Sequence, residues 1–321
     1  MILTIAGGVG AARMLAGLMQ VVPPEELTAI VNVGDDLELH GLRISPDLDT
    51  ITYTLAGAIN PQTGWGLVEE TWQARTMLER YGGVSWFGLG DRDLGTHMYR
   101  TQRLSEGADL STVTAEITRS WGLALRLLPV TCDRLRTRVT LAVDDPATPG
   151  SPSLSAGTEI SFQEYFVQRH HGVPVSAIRF EGAEQTQPAP GVLAAIASAA
   201  TIVVAPSNPL VSIAPVLAVP GVLDAIAGRR HDVVAVSPIV AGAALKGPAD
   251  RLMLELGHEP SVAGVARLYR DFAATLVIDE ADADCVAAVE AEGMRCVVTP
   301  TVMNTPQRAA ALARVVIGEQ P

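Results

Sequence analysis

The sequence predicts an α/β fold, a Rossmann-like and mostly parallel sheet with an inserted helical subdomain. Three observations carry that prediction. Residues 2–6 (ILTIA) and 27–33 (LTAIVNV) are short apolar runs joined by a glycine turn and a helix-forming stretch, a strand, helix, strand unit that calls for parallel pairing. TIVVAPSNP (201–209) and DVVAVSPIV (232–240) each carry an apolar strand ending at a Ser with Pro one or two residues later, a helix-start signature. Between these, from Asp49 to about Leu127, the spacing changes to the 3.6-residue period of helices.

Taken in order, the first helix should run from about Ala11 to Val21. Ser45 should cap a helix with Pro46 as its first residue and Asp47 and Asp49 in its first turn, where negative charge is favoured. ITYTLAGAI, ETWQARTMLERYG and the run from Leu110 to Trp121 then read as helices, the last with capping side chains near Asp109. TRVTLAV (137–143) and EISFQEYF (159–166) flank the loop PATPGSPSLSAG and read as a hairpin. The expected organisation is a nucleotide-binding core of residues 1–48 and 130–321, with residues 49–129 as the helical subdomain.

Composition narrows the function. A chain of 321 residues that is 48% hydrophobic and 18% charged can bury a substantial core. Its formal charge of −12 argues against a nucleic-acid partner, because phosphate backbones are bound by Lys and Arg. Lys246 is the one lysine, so anions must be handled by arginines, helix N-termini or a metal ion. Cys132, Cys285 and Cys296 form no CxxC pair, no apolar run reaches about 18 residues, and with no basic segment or small-residue cleavage site before the glycine turn no signal peptide is expected. A reduced, cytoplasmic protein without a membrane span is expected.

Four stretches could carry chemistry. In AGGVGAAR, Gly7, Gly8 and Gly10 can bring backbone N–H groups to an anion at a helix N-terminus, or can simply allow a tight turn. A dinucleotide fingerprint is not met: counted from Gly8, its last position is Arg13. In SPDLDT, Asp47 and Asp49 lie near Asp35 and Asp36 and could share a divalent cation through oxygen ligands. GLGDRDLGTHMYR holds Asp91, Arg92, Asp93, His97 and Arg100, the last two about one helical turn apart. Lys246 follows the second Ser-Pro strand end, where a phosphate contact or a solvated loop are both ordinary. There is no GxSxG, no HExxH and no Cys beside a His.

In order along the chain, AGGVGAAR, VNVGDDLELHGLRISPDLDT, GWG, FGLGDRDLGTH, APSNPLVSI, VSPIVAG and LKGPAD resemble the motifs of the 2-phospho-L-lactate transferase family, which builds the deazaflavin coenzyme F-420. The resemblance runs from residue 1 to about 275 and more loosely beyond. It implies a homodimeric, magnesium-dependent enzyme. The implied reaction moves a phosphorylated three-carbon acid from its guanosine diphosphate ester to the ribityl hydroxyl of Fo, 7,8-didemethyl-8-hydroxy-5-deazariboflavin, and releases GMP. The acid is left open among 2-phospholactate, phosphoenolpyruvate and 3-phosphoglycerate, which differ by small groups in a small pocket.

The resemblance also assigns residues. It implies that Gly7, Gly8 and Gly10 lie on the phosphate side of the donor site, and that Asp36, Asp47 and Asp49 form the acidic cluster for magnesium and the acceptor hydroxyl, which Asp49 orients. Asp91, Arg92 and His97 are expected on the deazaflavin or the transferred group, with Thr50 in the substrate site. Ser207, Asn208 and Ser237, with Lys246 and Gly247 nearby, are expected to hold the guanosine diphosphate. Ala11 stands where close relatives often carry another Gly. Two other readings compete: a non-catalytic binder of nucleotide sugars, and an NAD(P)-dependent oxidoreductase, which Arg13 disfavours.

Overall fold

The computed structural model describes residues 1–148 and 151–318. Seven strands form one parallel sheet: β1 (Ile2–Ala6), β2 (Leu27–Val31), β3 (Arg126–Pro129), β4 (Thr201–Val204), β5 (Val233–Val236), β6 (Thr275–Ile278) and β7 (Arg295–Val298). The inner strands are near-continuous Ile, Leu, Val and Ala because helices cover both faces, so there is no solvent face to alternate with. The sheet order is β3-β2-β1-β4-β5-β6-β7. The chain therefore leaves β1 in one direction and returns on its other side at β4. That reversal opens a crevice at the carboxyl ends of β1 and β4, where doubly wound sheets bind ligands.

Helix α1 (Gly8–Leu18) begins inside the glycine cluster, earlier than Ala11. Gly8 has φ +67°, a left-handed conformation that lets the chain turn from strand to helix, and a Cβ on Gly10 would lie 2.2 Å from the Pro206 carbonyl oxygen. Packing against the 206–212 segment thus demands glycine here, whatever else the turn does.

Residues 46–120 supply the expected helices α2 (Pro46–Leu55), α3 (Gln73–Arg80), α4 (Asp91–Ser105) and α5 (Leu110–Ser120), the last capped by Asp109, which accepts the Thr112 N–H at 2.7 Å. The helical run stops there. Arg126–Pro129 is the edge strand β3, so the sheet resumes ahead of the expected boundary at 130.

Two local expectations are corrected and one is extended. The Arg136–Leu141 strand pairs antiparallel with Glu159–Ser161 as the expected hairpin, and Val175–Glu181 adds a third strand on its other side. The second strand of the hairpin stops at Ser161 because Ser161 N–H donates to Glu164 Oε2 at 2.8 Å while Glu164 N–H donates to Ser161 Oγ at 3.2 Å, a reciprocal cap that starts the helical turn Glu164–Gln168. Pro149 and Gly150, in the loop between these strands, lie outside the described residues. After β5, VSPIV begins no helix: Ile239–Val240 pairs antiparallel with Ala243–Ala244, and Ser237 Oγ closes a turn on Ile239.

Candidate active site

A cleft of about 570 Å³ opens at the carboxyl ends of β1, β4 and β5, with α2 and α4 as its far wall. The glycine turn, Ser207, Asn208, Ser237, Lys246 and Gly247 line one side, and Asp47, Asp49, Thr50, Asp93 and His97 line the other. Asp35 lies between them. Tyr53, Trp65, Phe87, Phe162 and Phe166 complete the apolar walls.

The strand-end residues shape the turns they sit in. Ser207 Oγ donates to the Gly7 carbonyl at 2.7 Å and ties the loop after β4 to the glycine turn, while Asn208 Oδ1 accepts the Leu210 N–H at 2.9 Å. A Cβ on Gly7 would stand 2.7 Å from Ser212 Cβ and 3.3 Å from Asp47 Oδ2. The carboxylate of Asp47 therefore already sits at the N-terminus of α1, where the helix dipole favours an anion.

Three carboxyl groups crowd together at the floor, Asp35 and Asp47 in the cleft lining and Asp36 outside it. Ser45 does not cap α2; its Oγ donates to Asp36 Oδ2 at 2.8 Å instead. Asn32, buried at the end of β2, donates from Nδ2 to Asp47 Oδ2 at 3.0 Å and accepts the Gly34 N–H on Oδ1 at 2.8 Å. Asp35 is buried, its Oδ1 makes no hydrogen bond, and Gln163 Nε2 donates to its backbone carbonyl at 3.2 Å. Burial, followed by the charges of Asp47 and Asp36, raises the Asp35 carboxyl well above its ordinary range. Burial likewise pushes Asp47 up to about 6 and Asp36 up to about 7, the former against the bonds from Asn32 and the Gly8 N–H, the latter against the charge of Arg136.

The wall made by α2 and α4 is held together by ion pairs, with His97 Nε2 and Arg100 Nε its buried atoms that make no hydrogen bond. Arg100 is 2% exposed and forks onto Asp49, with Nη1 at 3.0 Å from Oδ2 and Nη2 on Oδ1. His97 Nδ1 lies 3.3 Å from Arg100 Nη1, and its Nε2 lies 3.2 Å from Asp93 Oδ2. Tyr53 donates to Asp93 Oδ1 at 2.7 Å. Against the cost of burial, His97 and Tyr53 hold the Asp93 carboxyl below its usual value.

Asp91 and Arg92 lie on other faces of α4, outside the cleft lining. Asp91 accepts the Thr71 hydroxyl at 2.5 Å and the N–H groups of Gln73 and Ala74 at 2.9 and 3.0 Å, which secures the start of α3 and lowers its pKa. Arg92 Nη1 donates to the Val68 carbonyl at 2.6 Å. Asp36, Asp47 and Asp49 are likewise not drawn to one point: each is held by a different partner, Ser45, Asn32 and Arg100. Among the described residues no group of three or more His, Cys, Asp or Glu is arranged to hold a metal ion.

The sequence matches the family described as 2-phospho-L-lactate transferase CofD over residues 2–313. The chain belongs to that family. This makes it a transferase. Its relatives include phosphoenolpyruvate transferases of Streptomyces griseus subsp. griseus, 46% identical across 98% of this chain and 96% of the relative, and of Kitasatospora aureofaciens, 43% identical across the same shares. The relative from Mycolicibacterium smegmatis is 38% identical across 98% of this chain and 96% of its own. A crystal structure of an upf0052-family protein from Bacillus halodurans shares the fold, with a TM-score of 0.62 at 17% identity and 98% coverage of both chains.

In this transferase the cleft lining also includes Asp35 and Asp93, which the sequence named without giving them a site role, and Asn32, which it did not name, supports Asp47 from outside the lining. On α4 helical spacing decides which residues face inward: Asp93, His97 and Arg100 recur at i, i+4 and i+7. Gln163 and Phe166 carry no such signal; the S-x-x-E cap that bends the chain into the cleft is the only local trace of them. No helix among the described residues is long and apolar enough to cross a membrane.

Proposed function

We propose that the enzyme transfers the phosphoenolpyruvyl group of its guanosine diphosphate ester to the ribityl hydroxyl of Fo in F-420 biosynthesis. The ribityl oxygen bonds to the phosphorus that bears the enolpyruvate, the phosphoanhydride bond to the guanylyl phosphate breaks, GMP leaves with the electron pair, and the hydroxyl proton passes to the surroundings. One observation carries this reading: a cleft at the switch point of the sheet in which Asp35, with an unbonded buried oxygen, and its neighbour Asp47 face a glycine turn and unpaired cations. The choice of phosphoenolpyruvate over 2-phospholactate follows the relatives that match nearly the full chain, which are phosphoenolpyruvate transferases.

Magnesium fits this floor through two carboxylates and not three. Asp35, with its orphaned Oδ1, and Asp47 would hold it together with phosphate oxygens and water, the arrangement Mg²⁺ commonly takes beside phosphates. Bound there, it would neutralise charge on the phosphates being separated. Asp49, held rigid by the Arg100 fork, is the group proposed to orient the acceptor hydroxyl, and the backbone N–H groups of the glycine turn face the donor phosphates. Trp65, Phe87 and Phe162 give that part of the cleft an apolar lining for the deazaflavin ring. We further propose a cytoplasmic homodimer.

The test is mass spectrometry of purified protein with Fo, magnesium and the guanylylated forms of phosphoenolpyruvate, 2-phospholactate and 3-phosphoglycerate in competition. The expected product is an enolpyruvyl phosphodiester of Fo with equimolar GMP. A dominant lactyl product would overturn the choice of acid. No product from protein that binds GDP would favour the non-catalytic binder.

A further inference from the structure

Arg13, the residue that breaks the dinucleotide fingerprint, is exposed on α1 and lines the cleft. Lys246 reaches the same cleft from the loop after Ala243–Ala244, and these are the two Arg or Lys side chains in its lining. Neither makes a hydrogen bond or an ion pair with any described residue, and the nearby carboxylates are already engaged: Asp47 by Asn32 and Asp49 by Arg100. Lys246 is close enough to feel Arg13, since burial and then the Arg13 charge lower its pKa. Its position is built: a Cβ on Gly64 would stand 2.9 Å from Lys246 Nζ, so the first glycine of GWG leaves room for the ammonium group to lie against that loop. Both side chains are exposed, and two like charges sharing one cleft with no counter-ion of their own repel each other and together attract an anion placed between them.

We infer that Arg13 and Lys246 form a two-cation clamp on the diphosphate of the donor, with Arg13 reaching over the first turns of α1 and Lys246 closing from the opposite loop. The inference rests on the guanosine diphosphate donor proposed above. It assigns a role to the residue type: a planar fork with five donors can span two phosphate oxygens, whereas the Gly or Ala of a dinucleotide site contributes only a close approach. It also explains how a chain with one lysine manages a ligand carrying several negative charges.

Arg13 is exposed, so Arg13→Gln leaves the packed face of α1 untouched, and Lys246→Gln lies on a loop. Isothermal titration of the full-length wild type, both variants and the double variant with GDP, GMP, guanosine and inorganic pyrophosphate reads the clamp directly. Each single variant is expected to lose about tenfold or more in GDP affinity, as for a charge-assisted phosphate contact. Guanosine should bind all four proteins equally, and pyrophosphate should bind the wild type alone. GDP affinity unchanged in Arg13→Gln would overturn the clamp while leaving the donor reading intact. A wild type that binds pyrophosphate through Arg13 but shows no preference for GDP over pyrophosphate would keep the clamp and sink the guanosine donor. If GDP binds all variants alike but the full donor ester weakens in both, the cations hold the carboxylate of the transferred acid, and the diphosphate assignment is wrong.

Discussion

The two walls of the cleft are built on opposite plans. On the α2–α4 wall every charge has a partner: Asp49 with Arg100, Asp93 with His97 and Tyr53. On the sheet side the charges wait for one: Asp35 Oδ1 is buried without a bond, Asp35, Asp36 and Asp47 repel one another, and Arg13 and Lys246 have no counter-ion. Buried charges that are paired fix geometry, even with His97 Nε2 and Arg100 Nε left without a hydrogen bond, and charges without partners store affinity for what completes them. The difference assigns positioning to one wall and ligand capture to the other.

The sharpest way to break this comparison is to remove Arg100. Because it is fully buried and forked onto Asp49, Arg100→Ala strands a carboxylate in the interior and should cost about 3–5 kcal/mol of stability. Urea unfolding with and without GDP measures it. A loss below about 1 kcal/mol would mean the wall relaxes freely and does no positioning.

Removing a charge from the other side should act on activity and not on folding. Asp35→Asn takes away one of three crowded carboxyl groups, so the ligand-free protein should unfold at an equal or higher temperature. Transfer should nevertheless fall about a hundredfold, equivalent to about 2.7 kcal/mol of barrier. Destabilisation comparable to Arg100→Ala would erase the distinction between the walls.

The sheet side was the more legible of the two in the sequence. Apolar runs, a glycine turn and Ser-Pro strand ends are local signals, and they correctly gave a parallel α/β sheet, although the second Ser-Pro end starts no helix. Asp91 and Arg92 show the limit: they share a motif with Asp93 and His97, but at about 100° of rotation per residue, adjacency in sequence separates them in space. Ser45 shows another. A helix-start pattern named the right residue, yet its hydroxyl is taken by Asp36, fixed by the β-hairpin Leu37–Leu39 and Leu42–Ile44 that folds the two together. Arg100 on Asp49 is a contact across 51 positions, which no spacing rule reaches.

The smallest expected effect is a pH dependence, and its sign separates the walls once more. Asp36 and Asp47, raised to about 7 and about 6, bind protons more tightly in the folded chain than in the unfolded one, where the ordinary value is 3.8. Their contribution to stability is therefore complete below about pH 4 and is lost as pH rises through 6 and 7. Asp93, with its lowered pKa, contributes in the opposite sense: its stabilisation is present above 3.8 and is lost in stronger acid. His171, whose pKa is depressed by burial, also opposes the first trend below its ordinary 6.5, and Asp35 joins the first trend, so the wild-type curve alone mixes several slopes. The difference between wild type and Asp47→Asn isolates one of them. That difference should favour the wild type by ~1 kcal/mol more at pH 5 than at pH 7.5, once discounted for solvent screening. Saturating magnesium and GDP should flatten it, because a cation beside Asp47 favours the ionised form in the folded state. A difference that grows with rising pH in the ligand-free protein would show that Asp47 is held ionised by the N-terminus of α1, and would move it from the waiting side of the cleft to the satisfied one.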